Sequence, residues 1–234
     1  KRIANIIEYL TFAVHEYTAR SLYEEHKLLF VLLMTLQIDL NRESIKFQEF
    51  QTFIKGGAAL DMASAPAKPP SLKWIQDMSW LNLVQLKQLP EFREILNQII
   101  RNDKSWKQWW DTDAPEDEII PDGYNASLDT FRKLLLIRSM CLDRSMPQAL
   151  RYISDSLGAR YADPVILNLE TMLAESTIRV PMVCLLSMGS DPTNQICDLA
   201  RKMRLECRCI SMGQGQEIHA RRLLNLAREQ GGWV

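Results

Sequence analysis

The chain has 234 residues, 47% of them hydrophobic and 24% charged, with a formal net charge of -1. That balance suits a globular protein with a sizeable core and excludes a collagen-like, low-complexity or strongly charged disordered chain. With 28 Lys and Arg against 29 Asp and Glu there is no overall attraction to nucleic acid or anionic membrane, so neither is expected as a partner.

Ile3, Ile6, Ile7, Leu10, Val14 and Tyr17 recur at helical spacing and predict a long amphipathic helix at the start. Lys1 enters it without a capping residue, and "GGWV" closes the sequence where an apolar strand should begin, so the chain reads as an excerpt of a longer one. "KRIANIIEYL" lacks the pattern of a signal peptide. Ser21 with Glu24 three residues on forms a capping-box pattern, predicting a second helix to about Asp39. Its run "LLFVLLMTLQI" is short of the roughly 20 residues of a membrane span and reads as a buried core helix. "IKFQEFQTFIKGG" places Ile45, Phe50, Phe53 and Ile54 on one face of a third helix that Gly56 closes.

"MASAPAKPPS", Met62 to Ser71, cannot sustain a helix because its prolines remove donors, and reads as a linker. "WLNLVQLKQL" and "PEFREILNQIIRNDKSWKQWW" follow as helices, the second opened by Pro90. Trp106, Trp109 and Trp110 share a face there, and packing on neighbouring helices is the expected use of that face. In "DTDAPEDE", Asp111 and Asp113 have the spacing of the first two calcium ligands of an EF-hand loop. Glu116 occupies the place of its glycine, so a solvated acidic loop is expected. "SLDTFRKLLLIRSM" and "MPQALRYISDSLG" are two more helices, the second opened by Pro147 and stopped by Gly158.

From Val180 the texture changes to strand, helix, strand, helix and the start of a strand: "VPMVCLLS" and "LECRCIS" are short apolar runs, and Ile218, Leu223, Leu226 and Ala227 have helical spacing. That order predicts parallel pairing with right-handed crossovers. The expected fold class is therefore helix-dominated α/β, with residues 1–125 as a helical region and residues 126–234 as two helices leading into a partial parallel sheet. Such an interrupted sheet exposes an edge, so the excised chain is expected to fold poorly alone.

The turn in "LLSMGSDPTNQI" has the outline of a phosphate loop. In the pattern G-x-x-x-x-G-K-[ST] started at Gly189, Asn194 replaces the second glycine, Gln195 the lysine and Ile196 the magnesium-binding hydroxyl. Asp191 at ~4 Å from a phosphate would cost ~4 kcal/mol at an effective dielectric near 20. Asp191 and Pro192 instead suit a helix start, the aspartate as cap and the proline in the first helical position. The alternative is a non-standard nucleotide loop in which Ser190, Thr193 and the backbone after Gly189 hold phosphate.

"MGQGQEI" resembles a dinucleotide fingerprint through Gly213 and Gly215, but Ile218 stands where the third glycine belongs. His219 and Glu217 come with no G-x-S-x-G elbow, so no catalytic residue is assigned. The five cysteines, Cys141, Cys184, Cys197, Cys207 and Cys209, are odd in number and lack a C-x-x-C pair, which suits free thiols in a reducing compartment. A zinc site would need Cys207, Cys209 and His219 to converge, and because both cysteines lie in an apolar strand-like run, buried thiols and no metal are expected.

The stretches "YTARSLYEEHKLLFVLLMTLQIDL", "WLNLVQL", "IIPDGYN", "KLLLIRSMCLDR", "ADPVILNLE", "LSMGSDPT" and "ISMGQGQEIHARRLL", in that order, cover essentially the whole chain. Together they resemble the dynein heavy chains, in particular the axonemal, outer-arm type. Leu142, where relatives usually carry a proline, and the wording of Met62 to Pro70 depart from the family pattern and bear on local loop geometry.

The resemblance implies a place in a six-module AAA+ motor ring: the helical small part of the fifth module up to residue 125, then the start of the sixth, a P-loop-like module that has lost nucleotide binding. No cofactor is implied for Gly189, Ser190, Asp191, Pro192, Thr193, Asn194, Gln195 and Ile196; ATP and Mg belong to the parent motor. The implied partners are the fifth, sixth and first AAA+ modules, the microtubule through a stalk outside this segment, and dynein intermediate and light chains. The implied location is the cytoskeleton of a ciliary or flagellar axoneme. The function implied is structural transmission within an ATP-driven microtubule motor, the segment itself not hydrolysing nucleotide.

Overall fold

The computed structural model describes residues 2–60, 65–165, 168–177, 179–186 and 188–234. Positions 62–64 of the predicted linker and Ser187 at the end of the first predicted strand lie outside them. The chain divides into two compact units, Lys1–Val165 and Ile166–Val234. The boundary read at 125/126 does not coincide with this division, because the helices of "SLDTFRKLLLIRSM" and "MPQALRYISDSLG" pack within the first unit.

The first unit is helical throughout: α1 (Arg2–Ala19), α2 (Glu24–Asn41), α3 (Phe47–Lys55), α4 (Asp77–Leu86), α5 (Ile95–Arg101), α6 (Asp103–Trp110), α7 (Tyr124–Ser127), α8 (Thr130–Met140) and α9 (Ser145–Leu157). No helix among the described residues is long and apolar enough to cross a membrane. α8 sits at the centre. Leu134, Leu135, Leu136 and Ile137 are all buried, and at about 100° per residue four consecutive positions leave no face for water. α4, α9 and α3 pack against it. Asp129 caps it, its carboxylate accepting from the Arg132 N–H at 2.8 Å.

One buried ion pair ties α3 to α8. Glu49 is 1% exposed and accepts from Arg132 Nε and Nη2, both at 2.8 Å, and from the Lys46 backbone N–H at 2.7 Å. This two-pronged geometry fills the carboxylate's lone pairs, which is what makes a charge tolerable inside a core. Asp39, on α2, is held in the same way by neutral donors, the Tyr152 and Ser156 hydroxyls of α9 at 2.8 and 2.7 Å.

Several expectations change in detail. α1 forms, but Ile3, Ile6, Ile7, Leu10, Val14 and Tyr17 are exposed, and the inward side is Phe12, His15 and Ala19. The capping box at Ser21 does not form: its hydroxyl donates to the Thr18 carbonyl at 2.8 Å, closing α1, and α2 starts at Glu24 without a side-chain cap. The single helix read from Pro90 to Trp110 is a 3-10 turn at Pro90–Phe92 followed by α5 and α6, which break at Asn102. Asn102 leaves helical geometry to donate its amide to Asp122, which also accepts from Trp106 Nε1 at 2.7 Å. The acidic loop is not wholly solvated, since the Glu116 side chain is 1% exposed and clasped by the Arg144 guanidinium. Burial pulls the Glu116 carboxyl up, but the Arg144 hydrogen bonds, a backbone hydrogen bond and the Arg144 charge together hold it below the usual range.

The tryptophans pack as expected. Trp106 is fully buried, Trp109 is 4% exposed with its indole N–H on the Pro115 carbonyl at 2.9 Å, and Trp110 lies partly buried against the same core. In the linker, Trp80 Nε1 donates to the Pro66 carbonyl at 2.8 Å, pinning the proline run to α4.

The second unit comprises α10 (Leu169–Glu175), α11 (Thr193–Lys202) and α12 (Glu217–Gln230). The helices on either side of the predicted second strand are present. The partial parallel sheet is not: among the described residues only isolated bridges form, Thr177 with Val180 and, in parallel, Cys207 with Trp233. Val183, Leu185 and Leu186 of the first predicted strand are exposed. A parallel strand is held by neighbours and by covering helices, and a lone bridged pair supplies neither.

Two outcomes follow for the first unit. After α3, Gly56 takes φ +54° and turns the chain so that Gly57 donates to Asn82 Oδ1 at 2.7 Å. A Cβ on Gly57 would lie 2.5 Å from the Leu81 carbonyl carbon, in backbone that cannot move aside. Gly57→Ala should therefore lose ~1–3 kcal/mol in a denaturant melt. Gly158→Ala, at φ +109° with open space around it, should show only backbone strain.

His15 is 1% exposed, neither ring nitrogen has a hydrogen-bond partner, and it packs among Phe12, Phe30 and Tyr161. Burial lowers its pKa below 6.5, against a weaker opposing pull from Glu16. The unfolded chain therefore takes up the proton first as pH falls. His15's contribution should be complete above about pH 6.5 and decline below it. Melts of His15→Phe at pH 7.5 and 5.5 should show a smaller loss than the parent chain.

Candidate functional site

The site is the start of α11, where the sequence places its phosphate-loop outline. Gly189 has φ +84°, the left-handed turn that glycine permits. Helix geometry begins at Thr193, with Pro192 in the cap position by backbone angles, one residue later than predicted. Asp191 nevertheless caps the helix, its Oδ1 accepting from the Thr193 N–H at 2.9 Å. Hydrogen bonding from the Thr193 side chain, and then from its backbone N–H, holds the Asp191 carboxyl below its ordinary pKa. The N–H that an incoming phosphate would use is thus already engaged by a negative charge.

Ser190, Thr193, Asn194 and Gln195 are exposed and Ile196 is half-buried. Gln195, in the lysine position, borders a shallow cleft of about 400 Å³ shared with Asn168, Leu169, Glu170, Asp198, Leu199 and Lys202. Lys202, the cation lining that cleft, is paired with Glu170. Arg201, next along α11, is paired with Asp198 at 2.5 Å.

The second glycine turn is likewise only an outline. Gly215 has φ +83°, α12 begins at Glu217 without a side-chain cap, and Ile218, in the place of the third glycine, is 78% exposed. His219 is exposed on the same helix.

The cysteines depart from expectation in one respect. Cys207 is half-buried and Cys209 exposed, so they are not interior thiols. They converge with Cys197 of α11: the Cys197 thiol donates to Cys207 Sγ at 3.7 Å and lies 4.0 Å from Cys209 Sγ. Burial first, and then the neighbouring thiols, push the Cys207 thiol up to about 11. The missed signal was periodicity, since Cys197 shares a side of α11 with the buried Ala200 three residues on.

Comparison with known proteins gives a consistent answer. A family profile described as "dynein heavy chain region D6 P-loop domain" matches residues 177–234. The whole chain is 64% identical to human dynein axonemal heavy chain 8 and 56% identical to mouse dynein axonemal heavy chain 5. It is 40% identical to the dynein gamma chain of the flagellar outer arm of Chlamydomonas reinhardtii. In each case the match takes in 100% of this chain and 5% of the relative's own length.

Proposed function

This chain belongs, as a segment, to the axonemal dynein heavy chains, and on that premise we propose that it is a structural, force-transmitting part of an ATP-driven microtubule motor of cilia and flagella. It holds neighbouring modules of a motor ring together and passes on rigid-body shifts produced by ATP turnover elsewhere in the ring. Residues 1–125 belong to the end of the fifth AAA+ module and residues 126–234 to the start of the sixth. ATP and Mg act at other modules, and the intermediate and light chains and the microtubule are partners of the parent assembly.

The observation that carries this reading is Asp191. It occupies the start of α11 where a phosphate would be seated, with Gln195 and Ile196 in the places of the lysine and hydroxyl. The closely packed core of the first unit supports the mechanical part, because interlocked cores move as bodies instead of deforming continuously. The P-loop description of the matched region favours a second reading, nucleotide held by Ser190, Thr193 and the backbone after Gly189.

Calorimetric titration of the segment with Mg-ATP should give no saturable heat in the micromolar range. Saturable binding that Thr193→Ala abolishes would establish the second reading instead. For transmission, Trp109→Ala in the intact motor should loosen the α6 packing by ~3–5 kcal/mol. Gliding velocity should then fall more steeply than microtubule-stimulated ATPase; an equal fall in both, or neither, would count against force transmission through this core.

A further inference from the structure

The second unit holds a side-chain cluster that neither the phosphate loop nor the motor reading uses. α11 presents Cys197 on the side that carries Ala200, and the chain then reverses at Arg204, φ +59°, with the Leu205 N–H returning to the Ala200 carbonyl at 2.9 Å. The extended chain beyond runs back beside the helix. Because alternate residues of extended chain share a face, Cys207 and Cys209 both meet Cys197. The three sulfurs lie within 4.8 Å of one another, with Cys197 at 3.7 Å from Cys207 and 4.0 Å from Cys209.

Those distances have a chemical meaning. Zinc–thiolate bonds of about 2.3 Å in a tetrahedral array set neighbouring sulfurs ~3.8 Å apart. A disulfide would need them at ~2.05 Å. The trio therefore stands at coordination spacing, contributed by two separate segments that the backbone hydrogen bonds above already bring together.

We propose that Cys197, Cys207 and Cys209 bind one Zn(II) ion as three thiolates, with water in the fourth position, and that the ion staples α11 to the extended segment at 205–209. Binding turns three thiols into thiolates, releases three protons to solvent, and changes no oxidation state. Soft thiolate ligands select zinc over magnesium, so the motor's own cation does not compete. The inference is independent of the force-transmission reading and survives its failure.

The test uses the heavy chain carrying this segment, purified under reductant, equilibrated with Zn(II) alone and freed of loose metal by a weak chelator. Elemental analysis should show one zinc equivalent per chain lost in Cys197→Ser and in Cys209→Ser, and none lost in Cys184→Ser, an exposed thiol outside the cluster. Cys209→His should keep the metal, because imidazole replaces thiolate as a zinc ligand, a rescue that a merely packing role for sulfur does not predict. Replacing zinc by Co(II) should add a thiolate-to-metal charge-transfer band that Cys209→Ser weakens, and zinc should slow proteolysis between residues 197 and 209. Equal zinc content in all variants, loss in Cys184→Ser equal to that in Cys209→Ser, or a Cys197–Cys207 disulfide in the freshly isolated chain would overturn the proposal.

Discussion

The constraint on which the first unit depends is that α8 has no side that water can face. Phe131, Leu134 to Ile137 and Met140 are buried around its whole circumference, so the helix is stable only when neighbours close on it from every direction. α4, α9 and α3 do so, and polar contacts that would be costly to leave unmade fix two of them: Glu49 with Arg132 and the Arg138 guanidinium on the Ile54 carbonyl hold α3, and the Gln148 amide on the Thr130 carbonyl holds α9. The apolar faces supply the stabilisation and the buried polar groups restrict it to one arrangement.

The second unit follows a different rule. Its helices form from local signals, the Asn168 side chain capping α10 and Asp191 capping α11, while little side-chain surface is buried. Its extended segments are held by single bridges in place of a ladder. Where a core would have set the geometry, the remaining specific contacts are those of polar and sulfur groups. The thiol cluster matters for that reason: it is the place where two segments of this unit meet through side chains of chemical consequence.

The phosphate-loop outline keeps the backbone of such a loop while Gln195 and Ile196 stand in the lysine and hydroxyl positions. A glycine turn and a helix start survive at Gly189 and Thr193. The capping carboxylate makes the helix more stable and the anion site worse, because it engages the N–H group that a phosphate would need. Helix initiation and phosphate binding compete for the same donors, and here Asp191 accepts from the Thr193 N–H.

Much of this was legible in the sequence, because helical periodicity, proline and glycine punctuation and motif failure are local. Most of the helices, α7 and α10 excepted, the closing role of Gly56 and Gly158, the packed tryptophans and the missing lysine and hydroxyl needed only residues near one another in the chain. What tertiary structure decided was everything that depends on a distant partner. Ser21 bonds Thr18 in place of capping α2; α5 and α6 part because Asn102 and Trp106 both reach Asp122; Glu116 turns inward because Arg144 is there to receive it. Among the described residues the strand runs form only isolated bridges, since a ladder exists only where a neighbour supplies the matching backbone groups. Cys197 joined Cys207 and Cys209 in place of His219 for a similar reason: sequence sets which face of a helix a thiol occupies, and only the reversal of the chain after that helix decides which other thiols it meets.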